Sequence, residues 1–186
     1  MIRTIGPPAL RPIEPSGYFG ALVRAITFQQ LAGRAAAAIH GRLLATVPDG
    51  LSPAAILALP DAAFRAAGLS SSKTASIRDL AAKVADGLLP LEGIEAFDDD
   101  EIVARLSTVR GIGRWTAEMF LIFQLRRLDV WPVDDFAVRK GYAIMHGLPE
   151  PPRPPALAPL GDPYRPYRSV AAWYCWRAND TVLPES

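Results

Sequence analysis

Residues 109–120 read VRGIGRWTAEMF, two glycines two positions apart between arginines, with a tryptophan and a helical stretch behind them. If one helix ends near Thr108 and the next opens at Arg114, Gly111 and Gly113 can take positive φ, and backbone N–H groups of the turn and the first helical turn are left unpaired. Such groups, backed by the positive end of a helix dipole, suit a phosphate oxygen, and the missing Cβ atoms let a nucleic-acid backbone come close. Arg110, Arg114, Arg126 and Arg127 add positive potential nearby. For a G-x-G on its own, a glycine-capped turn between ordinary helices is the better reading.

A second feature lies one helix further on. VWPVDDFAVRKGYAIM sets Asp134 and Asp135 after Pro132 and before an apolar helical run. An acid pair in that place reads first as an N-cap with a dipole-compensating neighbour. Both roles are compatible with chemistry: with Asp134 as the cap, the Asp135 carboxylate stands at the helix start, its charge favoured by the dipole and free to face a ligand.

The elements that must position these residues are helical. SGYFGALVRAITFQQLAGRAAAAIHGRLLATV opens on a cap at Ser16 and carries apolar residues at helical spacing, with Gly33 as a break or close-contact point. SPAAILAL has Ser52 as cap and Pro53 at the first helical position, and SKTASIRDLAAKVADG stops at Gly87. DDDEIVARLSTV loads acids into a first turn. GRWTAEMFLIFQL, DDFAVRKGYAIMHG and YRSVAAWYCWRA follow. Residues 1–15 form a flexible proline-rich start, and residues 148–166 are too proline-dense for a long helix and read as an ordered connector. No period-two alternation appears, so the fold class is all-α: one domain over residues 1–186, with two helical lobes around a cleft.

Bulk properties narrow the chemistry. Half of the 186 residues are apolar, enough for a well-filled core, and the net charge is only +1. A polyanionic partner must therefore be held by a local patch. Charge is polarised along the chain: Arg24, Arg34 and Arg42 share a stretch without acids, whereas Glu92, Glu95, Asp98, Asp99, Asp100 and Glu101 share one without bases. Cys175 is the single cysteine, which excludes an internal disulfide and a cysteine-ligated iron–sulfur cluster. His40 and His146 lack metal-ligand spacing and read as surface or core residues. No stretch has the apolar length of a signal peptide or a membrane span, so a cytosolic protein is expected.

Taken together, L-x-x-V-R-G-I-G-R-W-T-A and V-W-P-V-D-D resemble the helix-hairpin-helix (HhH-GPD) DNA glycosylases, most closely the alkylpurine branch of the 3-methyladenine DNA glycosylase II type. FQQLAGRAAAAIHGRL, GLSSSKTASIRDLA and YRSVAAWYCWR extend the resemblance over most of residues 18–177. It implies that Asp135 is the catalytic aspartate, and that Gly111, Gly113, Arg114 and Thr116 belong to a hairpin gripping phosphate. It places Trp115 where the branches attacking oxidised bases have a Schiff-base lysine, and Trp115, Trp176 and Met119 in the base pocket. Met119 departs from the family's pocket tyrosine, and because the helical resemblance already starts at Tyr18, the β-rich lobe of the type enzyme is not expected here. The resemblance also implies a monovalent cation, Na⁺ or K⁺, on the backbone carbonyls of Ser107, Val109 and Ile112, with no further cofactor required.

The implied activity is excision of alkylated purines from double-stranded DNA by a monomer, cytoplasmic and associated with a prokaryotic nucleoid. The damaged base is flipped out and Gln30 or Leu31 fills the gap. As plain alternatives, Leu31 is core and Gln30 a solvated cap. N3 or N7 alkylation makes the purine cationic, so an electron-rich pocket suffices and the leaving group needs no acid. Trp173 is assigned to the core. As the bond breaks, Asp135 stabilises an oxocarbenium-like sugar or activates the water. Two other readings stay open: a non-catalytic hairpin module, and an oxidised-base glycosylase with lyase activity using Lys73, Lys83 or Lys140.

Overall fold

The computed structural model describes residues 2–180. Its helices are α1 (Ile2–Ile5), α2 (Gly17–Phe28), α3 (Gly33–Ala45), α4 (Pro53–Ala58), α5 (Asp61–Ala67), α6 (Ser71–Ala85), α7 (Asp99–Leu106), α8 (Arg114–Phe123), α9 (Phe136–His146), α10 (Pro154–Leu160) and α11 (Arg168–Ala178). Among the described residues there is no strand, as the absence of period-two alternation requires. No described helix is long and apolar enough to cross a membrane.

The chain divides into two compact units. One is Pro12–Phe120; the other joins the residues up to Arg11 with those from Leu121 on. In the first unit Leu22, Ile26, Leu43, Ile56, Phe64, Ile77 and Leu80 are all fully buried, one apolar stripe from each of α2 to α6. His40 lies in this core with its ring edge-on to Phe28 at 6.2 Å, and burial lowers its pKa. Ser52 and Ser70 cap α4 and α6 through their hydroxyls, and Asp98 caps α7.

In the second unit Trp131, Val138, Tyr142, Leu157, Ala172 and Cys175 form the core, with Trp176 packed against it. The α9 and α11 backbones meet at Gly141, where a Cβ would collide with the main chain of Cys175. Asp129 fixes the start of α11 by accepting from Arg168 Nε at 2.7 Å and Nη2 at 3.0 Å.

Four sequence expectations change. Ser16 precedes α2 without capping it; its hydroxyl donates to Glu14 Oε1 instead, so the first turn lacks a side-chain acceptor. The proline-rich start, expected to be flexible, is tied down: Trp173 Nε1 donates to Ala9 O, Tyr174 OH to Gly6 O, and Arg126 Nη2 to Arg11 O. Prolines leave backbone carbonyls without intrasegment donors, and these side chains supply them. The helix DAAFRAA, α5, was not anticipated: it is short, and Phe64 and Ala67 alone turn inward. Finally, Asp135, not Asp134, caps α9. Asp135 N–H closes a turn onto Pro132 O, which delays the helix by one residue and hands the cap to the second acid.

Candidate active site

The hairpin lies between α7 and α8. Val109 and Ile112 are buried at 2% and 3% exposure, and Ile112 N donates to Val109 O at 3.0 Å, so the turn is anchored by its apolar side chains while both glycines stay exposed. Gly111 has φ +77°, and a Cβ there would come within 2.6 Å of Ser76 Oγ. Gly113 differs: its φ is ordinary, and a Cβ would meet nothing within 4 Å. Only one of the two glycines is thus required by the turn itself, contrary to the expectation of positive φ at both; at Gly113 the missing Cβ leaves an open surface. The N–H groups of Gly111, Gly113, Arg114 and Thr116 donate to no acceptor among the described residues. With the α8 dipole behind them they form the anion-binding arrangement expected.

The hairpin is braced from α6. Asp79 Oδ2 accepts Arg110 N–H at 2.8 Å while both its oxygens accept from Lys83 Nζ. Burial opposes the charged carboxylate, but the bonds from Lys83 and Arg110 outweigh it and hold its pKa below the ordinary 3.8. Thr116 is buried at 5%, and its hydroxyl accepts from Gln29 Nε2 at 3.3 Å. Arg114 is already paired, with Glu118 at 3.0 Å and Asp100 at 3.5 Å. Its charge is therefore largely offset, and the hairpin's anion affinity rests on main-chain groups more than on this side chain.

Gln30 and Leu31 both sit exposed in the turn between α2 and α3, Leu31 at 40%; the reading of Leu31 as core is excluded. Trp115 is 42% exposed on the first turn of α8, and Met119, half-buried, follows one turn later on the same face. Trp173 is buried and bonded, as assigned.

In the second unit Asp135 is 8% exposed, and its Oδ1 accepts Val138 N–H at 2.9 Å. A buried carboxylate in one fixed orientation results. The Cys175 thiol lies in its field: burial first, then the Asp135 charge, pushes its pKa to about 12, so the sulfur stays neutral beside the acid. Trp176 is half-buried and stacks on Phe123, centroids 5.4 Å apart and planes 26° off parallel, with the Arg11 guanidinium 4.6 Å from the Phe123 centroid.

Sequence reasoning missed Gln29, Asp79, Phe123 and Arg11. Each acts on a residue distant in sequence: Gln29 lies in FQQLAG, Asp79 in SKTASIRDLA and Phe123 in GRWTAEMFLIFQL, yet nothing local marks their partners. Among the described residues no three His, Cys, Asp or Glu side chains gather as a metal site.

A family model described as HhH-GPD superfamily base excision DNA repair protein matches residues 23–159. The Schizosaccharomyces pombe DNA-3-methyladenine glycosylase 1 is 37% identical over 172 residues, 91% of this chain and 75% of that protein. The Escherichia coli DNA-3-methyladenine glycosylase 2 is 26% identical over 84% of this chain and 53% of its own length. Among solved structures, the S. pombe 3-methyladenine DNA glycosylase in complex with abasic DNA superposes with TM-score 0.85 at 35% identity, covering 97% of this chain and 89% of that one. A Bacillus halodurans DNA-3-methyladenine glycosidase does so with TM-score 0.85 at 36% identity, covering 94% and 80%.

Proposed function

The chain belongs to the HhH-GPD superfamily of base excision DNA repair proteins, and from that premise we propose that it is a monofunctional DNA glycosylase. It hydrolyses the N-glycosidic bond of alkylated purines, of the 3-methyladenine and 7-methylguanine type, in duplex DNA and leaves an intact abasic strand. The observation that carries this reading is Asp135, a buried carboxylate whose orientation is locked by the Val138 N–H.

The chemistry follows from charge. An alkylated purine is cationic, so its departure leaves electrons on the base and positive charge on the sugar. A fixed, buried carboxylate lowers the energy of that oxocarbenium-like state more than that of the neutral sugar. Water then adds to the sugar carbon and gives up a proton. Trp115 and Met119 in the first unit, and Trp176 in the second, each offer polarizable surface suited to a cationic base, and a good aromatic contact contributes about 0.5–2 kcal/mol. Phosphate binding at Gly111, Gly113, Arg114 and Thr116 offsets the cost of unstacking.

A Na⁺ or K⁺ ion held by Ser107, Val109 and Ile112 fits the donor chemistry. The Ser107 and Ile112 carbonyls accept no hydrogen bond from the described residues, whereas Val109 O already takes Ile112 N–H. Such an ion supplies positive charge to the bound phosphate and takes no part in bond cleavage.

The lyase alternative finds two of its three amines engaged and the third outside the hairpin. Lys73 Nζ is bonded to two carbonyls and Lys83 to Asp79, while Lys140 lies exposed on α9. Action on one lesion at a time fits a monomer in the compartment that holds the DNA. Relatives from fission yeast as well as bacteria give no ground for confining it to a prokaryotic nucleoid.

The test is direct. Incubated with methylated duplex, the protein releases methylated purines identifiable by chromatography, and strand breaks appear only after alkali. Absence of released base would refute the reading; breaks before alkali would move the chain to the lyase class.

A further inference from the structure

Besides Asp79, the motif GLSSSKTASIRDLA contains a lysine that reaches across the first unit. Lys73 Nζ donates to Thr27 O and to Gln29 O, each at 2.7 Å. Those carbonyls end α2 and begin the turn that carries Gln30 and Leu31. Gln29 then extends the chain of contacts, donating from Nε2 to Gly111 O at 2.9 Å and to Thr116 Oγ1 at 3.3 Å.

The turn held in this way is not one a free chain would favour. Gln30 sits at φ +55°, in the left-handed region that side chains with a Cβ avoid. Leu31, next to it, is an apolar side chain left 40% exposed to water. Something must offset the strain and the exposure, and the ammonium on two carbonyls is the strongest interaction available there. Burial lowers the pKa of Lys73, which marks an ammonium drawn out of water by these bonds.

We propose that Lys73 and Gln29 are positioning residues that hold the α2–α3 turn as a pre-formed wedge and tie it to the phosphate-gripping hairpin. The apolar tip that enters the duplex and the N–H groups that hold its backbone thereby keep one register before DNA arrives. A turn that had to order itself during insertion would add its conformational entropy to the barrier for extruding the base. The proposal rests on the reading of Leu31, with Gln30, as the wedge of a glycosylase.

The experiment uses the full chain and a duplex carrying one 7-methylguanine beside 2-aminopurine, whose fluorescence rises on unstacking. Stopped-flow fluorescence, single-turnover base release and affinity for undamaged duplex are measured for Lys73→Met, Lys73→Arg, Gln29→Ala, Leu31→Ala and the double variant Lys73→Met with Leu31→Ala. Lys73→Met slows unstacking about tenfold, the scale of one charge-assisted bond, and Gln29→Ala about fivefold, the scale of a neutral one. For Lys73→Met, affinity for undamaged duplex changes about twofold or less. Lys73→Arg recovers most of the rate. The double variant is no slower than Leu31→Ala, because the clamp acts through the residue already removed.

If Leu31→Ala is slow while Lys73→Met and Gln29→Ala match wild type, the clamp is refuted and the wedge stands. If Leu31→Ala matches wild type, the wedge reading fails and the clamp with it. If the two losses multiply in the double variant, Lys73 supports the fold generally and the proposal is overturned. Should Lys73→Met not fold, Gln29→Ala with and without Leu31→Ala decides the same question.

Discussion

The Asp135 carboxylate accepts the backbone N–H of Val138 at 2.9 Å, so the residue assigned to the chemistry is also the one that starts helix α9. Structure and catalysis share a side chain, and substitutions can separate them. Asn caps helices about as well as Asp, whereas Ala costs about 1 kcal/mol at such a site.

Asp135→Asn is therefore expected to keep its thermal midpoint while single-turnover base release falls by about a hundredfold or more, since only the charge is lost. Asp135→Ala loses both rate and stability. Asp134→Asn, at an exposed position outside the cap, changes neither. Full activity in Asp135→Asn, or equal loss in the two asparagine variants, would remove Asp135 from the mechanism.

The hairpin glycines separate in the same way. Gly111→Ala places a Cβ at φ +77° and against Ser76, so it should destabilise the fold by about 1–3 kcal/mol in a denaturant titration. Gly113→Ala has room for its methyl group and should keep its circular dichroism and midpoint. Its binding to damaged and undamaged duplex should weaken alike, because the hairpin reads phosphate. Unchanged salt-dependent affinity in Gly113→Ala would contradict the phosphate role.

Acid should loosen the hairpin through Asp79. Its folded pKa lies below the ordinary 3.8, so its contribution is complete above that value and is lost as pH falls through the lower, folded one. Wild type should lose stability more than Asp79→Asn as pH is lowered from neutral to about 3, a difference read from urea midpoints. Parallel pH profiles would show that the Asp79 to Arg110 bond does not brace the turn.

Cys175 is 1% exposed with its pKa raised to about 12, so it should resist thiol reagents in the native state at neutral pH. Labelling followed by mass spectrometry should show modification only in denaturant. Rapid native labelling would mean that the α9 and α11 contact opens far more often than its packing implies.

Borohydride should trap no covalent complex with methylated duplex, since the residue that the resemblance sets at the lyase position is Trp115, Lys73 and Lys83 are bonded elsewhere, and Lys140 lies outside the hairpin. A retarded band on a denaturing gel, abolished by replacing one lysine, would overturn the monofunctional assignment.

What the sequence determined by itself is what neighbouring residues decide. Apolar spacing set the helical class, Ser52 with Pro53 set the start of α4, and the glycines beside Arg114 marked the hairpin, because each rests on contacts within a few residues. The tertiary structure decided everything that turns on a distant partner or on one residue of register. Which aspartate caps α9 depends on a turn closed onto Pro132, and propensity does not separate adjacent acids. Arg114 reads as a cation for DNA until folding brings Asp100 to it, beside Glu118 one turn on in its own helix. Lys73 and Gln29 carry no local sign of their partners, which lie 46 and 82 residues away at Thr27 and Gly111. A charge or an amide gains a role only when folding presents a carbonyl that water can no longer satisfy.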